Sequence, residues 1–173
     1  MRRLMLVVVA CLCAGCGYTT GSLLPSEYRT VGVQPFKNSI SFVNEGARAT
    51  YIPLLETKVR QAVMDRFQYD GHLRLTNNVD TADLVLRGEL TSFEREELRL
   101  TDNRDVQEYR IRITVSMVMF DNIKNQPMWE EPSFSGEATY FTTGPQAKSE
   151  SDAVQDALTD LSRRVTERTL EAW

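Results

Sequence analysis

The strongest constraint on the fold is an alternation of apolar and polar side chains between residues 109 and 119, which only Val118 interrupts. The apolar set is Tyr109, Ile111, Ile113, Val115, Met117 and Met119, and the polar set between them is Arg110, Arg112, Thr114 and Ser116. Successive side chains of a β-strand point to opposite faces, so this period of two predicts a strand with one dry and one wet face. The dry face requires a second layer of structure to cover it.

One candidate for that layer is an amphipathic segment that follows Pro53. Its apolar residues recur at helical spacing: Leu55, Val59, Ala62, Val63 and Phe67. Proline suits the first turn of a helix, and Asp70-Gly71 is a typical stop. The pattern predicts a helix over residues 53–69.

A second amphipathic segment lies at the end of the chain. Its apolar stripe is Val154, Leu158, Leu161 and Val165. Either Ser149 or Ser151 can cap its first turn, because a serine hydroxyl accepts a hydrogen bond from a free amide there. We expect this helix to run nearly to Trp173.

Four further segments have the composition of strands, and they set the order of elements. They are residues 29–36, which end at Pro35, residues 72–76, residues 83–90 with an extension to residue 100, and residues 128–141. The predicted order is β-α-β-β-β-β-α. The fold class is then an α/β (α+β) two-layer sandwich, in which two helices pack on one face of a mixed, mostly antiparallel sheet of four to five strands.

The first sixteen residues have the pattern of an export signal. Arg2 and Arg3 precede an apolar run of 11 residues from Leu4 to Ala14, which is too short for a bilayer span of roughly 20 residues. The run ends in Ala14-Gly15-Cys16, which resembles a bacterial lipobox whose cysteine thiol receives a diacylglycerol. The alternative is an ordinary secretory leader that happens to contain this cysteine. Gly17 is not the aspartate that retains enterobacterial lipoproteins at the inner membrane, so we expect an outer-membrane location.

These signals divide the chain into a signal peptide (1–15), a lipidated Cys16 with a flexible tether (16–28) and one periplasmic domain (29–173). The leader holds two of the 20 Lys and Arg and none of the 24 Asp and Glu, so the mature chain has a formal net charge of −6. That charge argues against nucleic acid as a partner. Only one of the three cysteines remains after residue 15, so we expect no disulfide.

Several short motifs, taken in order, resemble one known family. They are GCGY at 15–18, VQPFKN at 33–38, DGHLRL at 70–75, ADLVLRGEL at 82–90, EYRI at 108–111, WE at 129–130 and FSGEATY at 134–140. The chain is similar in these motifs to the lipopolysaccharide-assembly lipoproteins of the LptE family. The resemblance covers nearly the whole mature chain.

The resemblance implies a two-layer sheet with two helices and a role without catalysis. Members of the family lie as a plug in the lumen of a large outer-membrane β-barrel translocon, help it to fold and assist delivery of lipopolysaccharide to the outer leaflet. The implied partners are therefore an LptD-like barrel, lipopolysaccharide and the membrane itself. The strand at 31–38 also resembles lipoproteins that activate cell-wall synthases or form curli-type secretion pores, which is the alternative function.

The residues themselves indicate no enzyme. The one histidine, His72, follows a turn and has no cysteine or second histidine with which to bind a metal. No Gly-x-Ser-x-Gly elbow or glycine-rich phosphate loop occurs. The adjacent carboxylates Glu130 and Glu131 point to opposite faces of a strand and do not form an acid–base pair. We therefore expect no catalytic residue, no metal site and no cofactor.

A binding role for lipopolysaccharide needs cationic groups beside apolar surface. Arg110 and Arg112 share the wet face of the best strand, and Arg87 has the same phase on a neighbouring strand. The hypothesis is that these three guanidinium groups cluster and contact the phosphates of lipid A. The alternative is that they form ordinary surface ion pairs with Glu89 and Glu108, worth about 0–1 kcal/mol each.

Overall fold

The computed structural model describes residues 24–40 and 52–171, which form a sheet covered on one face by two helices. The strands are β1 (Thr30–Val33), β2 (Lys37–Asn38), β3 (Arg74–Leu75), β4 (Leu84–Leu100), β5 (Val106–Asp121) and β6 (Gln126–Phe141). The helices are α1 (Leu55–Asp70) and α2 (Glu150–Leu170), and a 3-10 turn covers Val79–Thr81. The predicted α+β sandwich is confirmed.

The sheet combines a parallel half with an antiparallel half. Its strand order is β3-β1-β4-β5-β6, in which β1 is parallel to β3 and β4, and β4, β5 and β6 form an antiparallel meander. The short strand β2 is also parallel to β4 and lies farther along it than β1. The strands of the meander have 17, 16 and 16 residues and make up most of the sheet.

Among the described residues the sheet has six strands rather than the predicted four to five, because the chain pairs with β4 again after the segment at 29–36. Proline has no amide hydrogen to donate, so Pro35 interrupts the ladder. The amide of Gln34 before it still donates to the Leu86 carbonyl at 2.9 Å, and that of Ser39 after it donates to the Leu90 carbonyl at 2.8 Å. The chain therefore rejoins β4 as β2.

The core lies between the helices and one face of the sheet. The apolar residues of β5 predicted to face inward, Ile111, Ile113, Val115, Met117 and Met119, are all buried. The stripes of both helices complete the same cluster. We call this side of the sheet the helix-covered face and the other side the open face.

Local signals fixed the helix ends close to their predicted places. The Ser149 hydroxyl accepts the Asp152 amide at 3.1 Å, so Ser149 is the cap of α2. Gly71 ends α1 with φ of 78°, a left-handed conformation that glycine adopts without strain. The two helices pack against each other on the same face of the sheet and form one layer.

Candidate functional site

The candidate site lies on the open face, where β5 runs between β4 and β6. Even-numbered residues of β5 point to this face because the odd-numbered ones are buried under the helices. The register sets Arg112 between Glu94 and Glu137, and Arg110 between Glu96 and Thr139. The three strands therefore bring two arginines and three glutamates together, and we call Glu94, Glu96, Arg110, Arg112 and Glu137 the arginine–glutamate network.

Glu137 is the central carboxylate of the network, since it contacts both arginines. Arg112 donates from Nε to Glu137 Oε1 at 2.7 Å, and Arg110 Nε lies 3.6 Å from Glu137 Oε2. The outer pairs are longer, with Arg112 Nη1 at 3.5 Å from Glu94 Oε2 and Arg110 Nη1 at 3.4 Å from Glu96 Oε2. The network carries two positive and three negative charges.

The network holds its two guanidinium groups in place. The hydrogen bond to Glu137 raises the pKa of Arg112 above its usual value, more than desolvation lowers it. All five side chains are partly exposed, so water screens the pairs and each one stabilises the fold by about 0–1 kcal/mol. Any anion that binds here must compete with Glu137 for the two arginines.

Arg87 does not join Arg110 and Arg112, so the predicted cluster of three is wrong. Arg87 lies on the open face, as its position in the alternating pattern of β4 predicted. Its neighbour across the ladder on β5, however, is Val118. Val118 is six residues along β5 from Arg112, a distance of roughly 20 Å. The Arg87 guanidinium instead lies 4.6 Å from the centroid of the Phe120 ring.

The glutamates expected as partners in the alternative interpretation have other contacts. Glu89 lies 3.5 Å from Lys37 Nζ and accepts the Ser39 hydroxyl at 3.1 Å. Glu108 lies 3.7 Å from Arg99 Nε. The arginines do form surface ion pairs, but with Glu94, Glu96 and Glu137.

The other candidate groups have ordinary surroundings. His72 Nδ1 lies 2.6 Å from Asp70 Oδ1 near the protein surface. Over residues 24–40 and 52–171, no group of three or more His, Cys, Asp and Glu side chains could hold a metal ion. Within the same ranges, neither helix is long and apolar enough to cross a bilayer. Cys16 lies outside the described residues.

A second polar cluster, which sequence reasoning missed, fastens the beginning of the domain to the β5–β6 turn. Tyr28 donates from its hydroxyl to Asp121 Oδ2 at 2.5 Å and accepts from Lys124 Nζ at 2.7 Å. Lys124 Nζ also lies 2.8 Å from Glu27 Oε1. We call Glu27, Tyr28, Asp121 and Lys124 the entry latch.

The electrostatics of the entry latch keep Tyr28 protonated and Lys124 charged. Burial, and then the hydrogen bond to Asp121, raise the pKa of Tyr28 above its usual value. The hydrogen bond with Glu27 is the main cause that raises the pKa of Lys124. Tyr28 and Asp121 are 93 residues apart in the sequence, and no local pattern indicates a contact at that separation.

Two solved structures of other bacterial proteins, the first two given below, show the same fold. Protein XCC0632 from Xanthomonas campestris aligns with 12% identity and a TM-score of 0.53, over 85% of this chain and 88% of its own. The hypothetical protein CT253 from Chlamydia trachomatis aligns with 14% identity and a TM-score of 0.50, over 82% and 95%. The rare lipoprotein B from Shewanella oneidensis aligns with 18% identity and a TM-score of 0.41, over 80% and 90%. A search of curated proteins found no match.

The fold and the ion-paired open face define a two-layer α+β domain with a highly charged sheet surface. The family description that matches it is "Lipopolysaccharide-assembly", LptE, over residues 28–170. The chain belongs to the LptE family, whose description assigns it to lipopolysaccharide assembly. The matched range begins at the entry latch and ends with α2, so it spans the whole two-layer domain.

Proposed function

We propose that this protein is an outer-membrane lipoprotein, acylated at Cys16, that acts without catalysis as a plug and assembly partner of an LptD-like β-barrel. The observation that carries the proposal is the family match over residues 28–170, which covers both helices and the full meander. In this role the protein assists delivery of lipopolysaccharide to the outer leaflet.

The chemistry of the open face supports a partner with a polar wall. The lumen of a large outer-membrane barrel is polar, whereas its outer wall is apolar. The open face carries the arginine–glutamate network and the Arg99–Glu108 pair, which would be costly to place against lipid chains. A surface of this kind is compatible with a water-lined barrel interior.

The test is affinity purification of the protein from outer membranes, followed by identification of what accompanies it. We expect a very large β-barrel protein in stoichiometric amount. Recovery of the protein alone, with a cell-wall synthase, or as ring-shaped oligomers would overturn the proposal. Mass spectrometry of the amino terminus tests acylation separately, with Cys16→Ser as the variant that loses membrane attachment.

The same proposal includes direct contact with lipopolysaccharide. The arginine–glutamate network reduces the candidate contact residues from three to two, Arg110 and Arg112. Their guanidinium groups would bind a lipid A phosphate in place of the Glu137 carboxylate, because both anions accept hydrogen bonds from arginine. Arg87 lies too far along the sheet to share that phosphate.

A set of charge changes tests this contact by measured affinity for lipopolysaccharide. Glu137→Gln removes the competing charge, so we expect tighter binding. Arg110→Glu with Arg112→Glu should abolish binding, while Arg87→Glu serves as the control on the same face. Unchanged binding in the double variant would exclude the contact.

A further inference from the structure

The outer edge of β4, which is turned away from β5, is paired over only part of its length. Strand β1 lies beside it at residues 84–86, and β2 lies beside it at residues 89–90. From there β4 continues to Leu100 with β5 as its neighbour on the other side. Over residues 24–40 and 52–171, no strand pairs with the outer edge of this second part.

The register of the ladder shows which backbone groups lie on that edge. Along an antiparallel strand, successive residues alternately bond to the neighbouring strand and point away from it. Leu90 points outward, because its carbonyl accepts the Ser39 amide at 2.8 Å. The bulge between Leu90 and Ser92 then shifts the alternation by one residue. The residues whose amides and carbonyls point outward are therefore Phe93, Arg95 and Glu97, and we call residues 93–97 the unpaired edge.

The unpaired edge offers backbone donors and acceptors with which another strand can pair. It differs in this respect from the outer edge of β6, where Asp160 of α2 accepts the Glu137 amide at 3.1 Å. The unpaired edge is also accessible, since Glu94, Glu96 and Glu97 are exposed. A strand that pairs here would extend the sheet on the side of β4 that β1 and β2 already use.

The side chains of the unpaired edge indicate which strand fits it. Glu94, Arg95 and Glu96 each have an ion pair within the protein. Glu97 is exposed and has no ion pair among the described residues. Opposite charges on neighbouring strands stabilise their pairing. The strand that fits best therefore has a lysine or arginine beside Glu97.

The charge of the edge argues against a second copy of this chain as the occupant. Residues 93–97 contain one arginine and three glutamates, a net charge of −2. Pairing two such edges would bring like charges together, which is costly. The strands in the wall of a closed barrel have both edges paired, so they are not available either. The occupant must be an extended segment that lies outside the wall strands of its own chain.

We propose that the unpaired edge binds an extended segment of the β-barrel partner, which adds a strand to the sheet with a basic side chain beside Glu97. The segment belongs to a part of the partner that lies outside the wall strands. This inference rests on the proposed function, because it assigns to the same partner a binding site on this chain.

A competition experiment tests the backbone pairing. The β-barrel that accompanies the wild type is tagged, and wild type and variant are produced together in cells, so that both compete for it. Glu97→Pro removes the outward amide, whereas Glu97→Ala keeps it, and neither variant has the carboxylate. We expect roughly tenfold less of the proline variant than of the alanine variant on the purified barrel, because an acceptor in the partner is left unpaired. Equal amounts would overturn the inference.

Urea denaturation of the two isolated variants controls for folding. Proline is tolerated at an edge where the amide that it replaces faces solvent. We therefore expect the same urea midpoint for Glu97→Pro and Glu97→Ala. A clearly lower midpoint for the proline variant would mean that the Glu97 amide is already bonded within the chain, and it would also overturn the inference.

Crosslinking tests the identity of the occupant. A photoreactive benzoylphenylalanine is placed at Glu97, or at Gln155 on the exposed side of α2 as the control. We expect crosslinks from Glu97 to a segment of the barrel protein outside its wall strands, and crosslinks from Gln155 to other parts or to none. Crosslinks from Glu97 to a second copy of this chain, or only to wall strands, would contradict the inference.

The same experiments separate this inference from the proposed function. If the wild type is recovered without a β-barrel, the proposed function fails and the inference fails with it. If the barrel accompanies the wild type in stoichiometric amount and Glu97→Pro competes as well as Glu97→Ala, the inference alone is wrong.

Discussion

At the scale of single residues, Gly136 determines how closely α2 packs on the sheet. A Cβ atom at this position would lie 2.5 Å from both the amide nitrogen and the Cβ of Leu161, and 2.6 Å from the Ala157 carbonyl oxygen. Two of these atoms belong to the backbone of α2, so no rotation of a side chain can make room. Glycine is required here because of space.

We therefore predict that Gly136→Ala destabilises the protein by about 1–3 kcal/mol, because the helix must move away from the sheet. Urea denaturation measures the change. Ser133→Ala, at an exposed position of the same strand, is the control and should change stability by no more than about 0.5 kcal/mol. Equal effects of the two variants would mean that the close packing at Gly136 is not needed.

Asp83 gives the fold a specific sensitivity to acid. Burial tends to raise the pKa of its carboxyl, but the amides of Arg29 and Thr30 and the Thr30 hydroxyl donate to it, and together they lower the pKa below its usual value. A carboxylate with a lowered pKa stabilises the fold above about pH 4 and loses this contribution as the pH falls through its folded pKa.

The prediction concerns the stability difference between the wild type and Asp83→Asn. We expect the wild type to be more stable at pH 7, and the difference to shrink as the pH falls below about 4. Chemical denaturation at a series of pH values measures it. Asp102→Asn, on the exposed β4–β5 turn, is the control and should change stability at pH 7 by no more than about 0.5 kcal/mol. A stability difference between the wild type and Asp83→Asn that does not change with pH would contradict a lowered pKa of Asp83 as its cause.

At the scale of elements, the outer edge of β6 is closed by the side chains of α2. Asp160 accepts the Glu137 amide at 3.1 Å, and the Arg164 guanidinium donates to the Ser135 carbonyl. Farther along, the Lys148 amide donates to the Phe141 carbonyl at 3.0 Å. An exposed edge strand offers free backbone amides and carbonyls with which another chain can pair. These contacts use some of those backbone groups of β6.

Opening this edge should promote self-association. We predict that Asp160→Ala combined with Arg164→Ala increases concentration-dependent association relative to the wild type, as measured by sedimentation velocity. Glu167→Ala removes a charge from the same helix without touching β6, since Glu167 pairs with Arg163. If the control associates as strongly as the double variant, the protection of the edge is not the cause.

The same elements show what could be predicted from the sequence. The period of two in β5 and the capped stripe of α2 are local signals, and both elements were predicted correctly. The distance of Arg87 from Arg112 depends on the register of β4 against β5. The alternation of apolar and polar residues within each strand does not determine that register. The second strand after Pro35 and the Tyr28–Asp121 bond depend on contacts between distant residues, so no local pattern shows them.

At the scale of the whole molecule, the helix layer is shorter than the sheet. Arg95 Nη1 lies 2.6 Å from Glu150 Oε2, at the first residue of α2, and this contact marks the end of the covered region. Beyond it no described helix lies over the hairpin, where Leu98 and Leu100 are exposed although both strands remain paired. The long meander therefore has a larger covered part and a shorter uncovered end.

This division predicts a gradient of amide protection along the same strands. Opening of the covered part, at residues 111–119, must expose the core, whereas opening of residues 96–100 and 106–109 exposes little apolar surface. Hydrogen exchange followed by mass spectrometry should therefore show faster exchange in the uncovered end. Residues 111–119 serve as the internal reference, since they share a strand and a ladder with residues 106–109. Uniform protection along β4 and β5 would mean that pairing alone, without cover from the helices, makes the far hairpin rigid enough to present a fixed surface.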